Sequence, residues 1–94
     1  MNPLIFRINE ALSKIKREKE KIKEIEDLKQ KFIVKLNELI AEVKNDSNKF
    51  YDSEIMDLMG RCHYLISDCD KKIRKCNEKI KRFEEKINKI KNKR

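Results

Sequence analysis

Three cysteines, Cys62, Cys69 and Cys76, stand seven residues apart, with His63, Asp68 and Asp70 near them in the chain. Cys, His and Asp are the side chains that hold zinc, so the first chemistry to weigh is a metal centre. The spacing argues against it. Residues seven apart on a helix lie two turns, about 10 Å, apart along the axis, whereas zinc ligands converge to about 2.3 Å from one ion. The first half of the chain has no Cys or His to complete a set. The same spacing suits a packing seam. Ile55, Cys62, Cys69, Cys76, Phe83 and Ile90 recur every seven residues, and Met59, Ile66, Ile73, Ile80 and Ile87 form a second series offset by four. Alternating steps of four and three mark the apolar stripe of a coiled-coil helix, where cysteine packs as a small apolar side chain. No metal and no cofactor is expected.

Acid–base and nucleophilic chemistry fare no better. His63 is the single histidine, and no Ser/His/Asp or Cys/His grouping with an orienting third residue is readable. A glycine-rich phosphate loop is excluded by a chain with one glycine. The expectation is a protein that is not an enzyme.

Charge is the remaining chemical signal. The net charge is +8, and it is uneven. Residues 1–44 carry 11 Lys/Arg and 8 Asp/Glu, residues 45–70 carry 2 and 6, and residues 71–94 carry 12 and 3. The basic patch comprises Lys71, Lys72, Arg74, Lys75, Lys79, Lys81, Arg82, Lys86 and Lys89, continuing to Lys91, Lys93 and Arg94. If the chain folds back on itself, Lys14, Lys16, Arg17, Lys19, Lys21 and Lys23 come alongside. Such a field draws in phosphates, with affinity that falls as salt rises. Nucleic acid, an acidic protein or an anionic membrane surface would all suit it. The cations point around the whole helix, and no aromatic residues interleave to stack on bases.

The elements that position these groups are helical. One Gly, one Pro, no Trp and 45% charged residues leave a chain rich in the helix formers Lys, Glu, Ile and Leu. Asn2-Pro3 reads as cap and first residue of a helix. Apolar positions at helical spacing then run from Leu4 to Val43. Ile8, Ile15 and Ile22 step by seven, but Ile22/Ile33, Ile25/Leu36, Leu28/Leu39 and Phe32/Val43 pair at eleven, which predicts a different supercoil from a strict heptad. Lys19 falls where the early heptad wants an apolar residue. The mismatch of periods predicts loose pairing at the lower end of the second helix, the end that carries the basic segment 71–94. Asn45-Asp46-Ser47-Asn48 is a run of turn formers, with Asp52-Ser53 a second candidate start. Gly60, inside the heptads, either admits a close backbone or is merely tolerated.

The fold expected is all-α: one antiparallel two-helix hairpin of coiled-coil type, with helix one about 3–44, a loop about 45–50 and helix two about 51–92. Adjacent apolar pairs (Phe32-Ile33, Leu39-Ile40) and Leu58 and Leu65 exceed what one seam uses. Association into a four-helix bundle, or docking on a helical partner, would cover them. The expected interface is Phe32, Ile33, Leu36, Leu39, Ile40, Leu58, Met59, Leu65, Ile66 and Ile73. The primary functional expectation is an interaction or assembly protein (adaptor, chaperone or inhibitor) acting as a homodimer or with a helical partner. The alternative is a small basic nucleic-acid-binding protein that uses the C-terminal helix. Odd cysteines in a seam fit a reducing compartment, and Met1–Leu12 lacks the apolar core of a signal peptide, so a cytoplasmic location is expected.

Leu58-Met59-Gly60 followed by Tyr64-Leu65-Ile66-Ser67-Asp68 resembles, over about ten residues, the small helical-hairpin proteins of type VII secretion. The resemblance implies an export element of the form Tyr-x-x-x-Asp/Glu and secretion without a signal peptide. The Trp-x-Gly turn of that family is absent, and Tyr64 and Asp68 lie mid-helix rather than near the C-terminus.

Overall fold

The computed structural model describes residues 2–92. Helix α1 spans Pro3–Asn45, a short 3-10 turn spans Ser47–Tyr51, and helix α2 spans Ser53–Asn92. The two long helices pack against each other as an all-α hairpin. Each boundary has a local cause. The Asn2 side-chain oxygen accepts from the Leu4 N–H at 2.9 Å, and Pro3 takes the first helical position, where its missing donor costs nothing. Asp46 ends α1 in extended backbone, and its carboxylate accepts from the Asn48 N–H at 3.1 Å. Asp52 caps α2, accepting from the N–H groups of Glu54 at 2.9 Å and Ile55 at 3.4 Å. The connection therefore extends through Asp52, two residues beyond the expected loop.

The α2 seam matches expectation: Ile55, Met59, Cys62, Ile66, Cys69, Ile73, Cys76, Ile80, Phe83, Ile87 and Ile90 are all buried or half-buried. The α1 seam differs from its expected eleven-residue repeat. Its buried and half-buried positions include Ile8, Ala11, Ile15, Glu18, Ile22, Ile25, Lys29, Phe32, Leu36, Leu39 and Val43. Those steps of three and four form an unbroken heptad. Two charged residues, Glu18 and Lys29, and the small Ala11 fill seam positions, so an apolar count misses the repeat. Lys19, read as the seam's polar intruder, is exposed; its neighbour Glu18 holds that place.

The chain divides into two units, Met1–Glu24 with Lys72–Arg94 and Ile25–Lys71. In the first, Ala11 and Ile15 pack with Ile80 and Ile87, flanked by Ile8, Ile22 and Phe83. This corrects the loose pairing expected at the lower end of α2, because Cys76, Ile80, Ile87 and Ile90 are all buried. In the second, Leu36, Leu39 and Cys62 form the core, flanked by Ile40, Ile55, Met59 and Ile66. Each unit is two helix segments thick, and among the described residues no large side chain is fully buried. A Cβ at Gly60 would meet nothing within 4 Å. Within the hairpin, then, this glycine admits no close neighbour.

Candidate functional site

The first unit places a groove of about 410 Å³ between its two helix segments, lined by Lys14, Arg17, Glu18, Lys21, Lys79, Arg82 and Phe83. Helical geometry explains the convergence. Lys14, Arg17 and Lys21 lie at i, i+3 and i+7 on one flank of the α1 seam, and Lys79 and Arg82 lie at i and i+3 on the facing flank of α2. Five cations and one carboxylate leave the groove strongly positive. Lys14 is held at 3.4 Å by Glu10 one turn earlier, and its ammonium stands 5.8 Å from the centroid of the Phe83 ring, within cation–π range. Among the described residues, Arg17, Lys79 and Arg82 form no ion pair.

Glu18 lies at the floor. Only 6% of the residue is exposed. One carboxylate oxygen, Oε1, accepts from the Lys21 ammonium at 3.3 Å, while Oε2 is buried without a hydrogen-bond partner. The neighbouring Cys76 thiol is the largest influence holding the carboxyl below its usual range, aided by Lys21 and Lys79 and opposed by burial. Burial pushes the Cys76 thiol up, and the Glu18 charge beside it adds to that rise. Cys76 is therefore a poor nucleophile at neutral pH, since thiolate is the reactive form. All three cysteines are free and buried, and among the described residues no group of His, Cys, Asp and Glu is arranged to hold a metal ion.

The second unit carries the other polar seam residue. Lys29 donates to Asp70 across the helices at 2.6 Å. That bond raises the lysine above its usual range, opposed by burial. The pair ties α1 to α2 at a point where neither residue type suggested a seam.

The residues expected to form an interface divide into two sets. Leu36 and Leu39 are buried in the hairpin's own core, and Met59, Ile66 and Ile73 are half-buried in its seam. Phe32, Ile33, Ile40 and Leu65 are also half-buried, and Leu58 is exposed. The structure adds Leu28, Val34 and Met56, exposed at 46%, 48% and 37%. They lie outside both seams, so neither heptad series includes them; only their excess over a single stripe could have signalled them. Of the basic patch, Lys79 and Arg82 line the groove, and Lys86 lines a smaller recess with Arg7, Glu10 and Lys14. Lys71, Lys72, Arg74, Lys75, Lys81 and Lys89 are exposed around the rest of α2; Lys93 and Arg94 lie outside the described residues. The three α1 cations of the groove were expected alongside the patch, but Glu18 was not.

The chain matches no family model, no curated protein and no solved structure.

Tyr64, of the motif that resembles a secretion element, is exposed in the first third of α2. No helix among the described residues is long and apolar enough to cross a membrane.

Proposed function

We propose that this is a non-catalytic assembly protein that works by helix packing, its first partner being a second copy of itself through the unit Ile25–Lys71. The observation that carries the reading is surface area. The chain exposes 7628 Å², whereas a folded monomer of 11.4 kDa typically exposes about 5,800 Å². The surplus of about 1,800 Å² per chain is more than twice the roughly 800 Å² that one partner contributes to a standard interface. In the second unit Leu28, Val34, Met56 and Leu58, with the half-buried Ile33, Ile40 and Leu65, supply apolar area; Phe50, Tyr51 and Tyr64, and in the first unit Leu4, Ile5, Phe6 and Leu12, are exposed as well.

Charge favours a copy at this unit. Residues 25–71 hold 7 Lys/Arg and 10 Asp/Glu, whereas residues 1–24 with 72–94 hold 18 and 7. Two copies of a mixed, nearly balanced surface meet with little repulsion, while two strongly basic surfaces do not. Sedimentation velocity at tens of micromolar is expected to show a dimer. Met56→Glu with Leu58→Glu should return a monomer of unchanged helix content. A wild-type chain that stays a stable, soluble monomer at that concentration refutes the proposal.

A further inference from the structure

From the groove of the first unit, we infer a binding site for a compact cluster of phosphoryl groups, such as a polyphosphate or the phosphate tail of a nucleotide. Three observations converge. Five cations from two helices face one groove whose volume lies in the usual range of small-ligand sites. Arg17, Lys79 and Arg82 form no ion pair among the described residues, so an added anion would relieve their mutual repulsion. Glu18, buried beneath them, binds Lys21 from below at 3.3 Å and attracts Lys79. This holds cations at the groove rather than letting them splay into solvent.

The geometry selects a compact ligand over an extended nucleic-acid strand. A single strand is held by backbone charge together with aromatic faces on which bases stack. Phe83 is the only aromatic residue lining the groove, and the Lys14 ammonium stands over its ring. The charge is concentrated, and a stacking platform is missing. Arg17 and Arg82 supply planar forks that grip phosphoryl oxygens in pairs, and the lysines act as point charges around them. Glu18 also lines the groove; its single negative charge opposes an added anion, and the five cations outweigh it.

Isothermal titration with inorganic triphosphate at low salt tests the site. A single-stranded oligonucleotide of equal charge serves as the second arm. Lys79→Gln with Arg82→Gln removes two groove cations. Lys75→Gln with Lys89→Gln removes two exposed cations outside the groove, leaving the same net charge. The groove pair is expected to weaken triphosphate binding by about tenfold or more, and the outer pair by no more than about twofold, as for screened surface charges. Lys14→Gln with Arg17→Gln repeats the test from α1, and circular dichroism checks each variant's helix content. Equal losses from the groove and outer pairs would mean a diffuse field and overturn the site, as would no binding of triphosphate by the wild-type chain. Tighter binding of the oligonucleotide than of triphosphate would overturn the compact ligand.

Discussion

Glu18 occupies a core position and leaves one oxygen unsatisfied, and an unmet buried polar atom costs of order 1–3 kcal/mol. Its carboxyl is nevertheless held below its usual range by Cys76, Lys21 and Lys79, so these neighbours outweigh burial, and Glu18→Leu should lower the midpoint of thermal unfolding. A higher midpoint would show that the cost of the unpaired buried oxygen dominates. The pH dependence of Cys76 has a definite sign. Its thiol is raised in the folded chain, first by burial and then by Glu18. The folded state thus holds this proton at pH values where the unfolded chain has released it, and stability falls as pH rises through the usual thiol range. Cys76→Ala should flatten that alkaline loss relative to wild type in denaturant melts taken from neutral pH to about 10.

At the scale of elements, the caps were readable because their chemistry is local. Asn2-Pro3 and Asp52 each act on backbone two or three residues away, so spacing alone reveals them. Asp52→Ala should cost about 1 kcal/mol, the usual loss for an N-cap acceptor, with the midpoint of a urea melt falling and its slope unchanged. The α2 heptad was equally legible, since each of its seam residues is apolar or cysteine. The α1 heptad was not. Ala11, Glu18 and Lys29 break the apolar count, and their seam roles depend on partners across the hairpin: Cys76 beside Glu18, and Asp70 at 2.6 Å from Lys29. A residue's polarity reports its burial only when its partner is known, and an antiparallel partner lies dozens of residues away. For the same reason the basic residues of the groove could be named, but not their shared carboxylate floor.

At the scale of the whole molecule, the surplus of exposed area and the division of charge make one joint claim: stability should depend on concentration. Anything that binds only the folded state raises its apparent stability by mass action, and a second copy does so with the logarithm of the chain's own concentration. A tenfold increase is worth about 1.4 kcal/mol per dimer, which for about 190 residues corresponds to a rise of about 3–6 °C in the unfolding midpoint. Melts at about ten and about a hundred micromolar should differ by that amount. Met56→Gln with Leu58→Gln should remove the difference and leave the low-concentration midpoint nearly unchanged, because both side chains lie outside the hairpin's own seam. Raising salt separates the two surfaces further. Screening weakens an anion held by the basic groove, whereas an apolar contact between copies of the balanced unit is held chiefly by area removed from water. A midpoint that ignores concentration in the wild-type chain would leave the apolar residues of the second unit without a second copy to cover them, and the assembly proposal would fail with it.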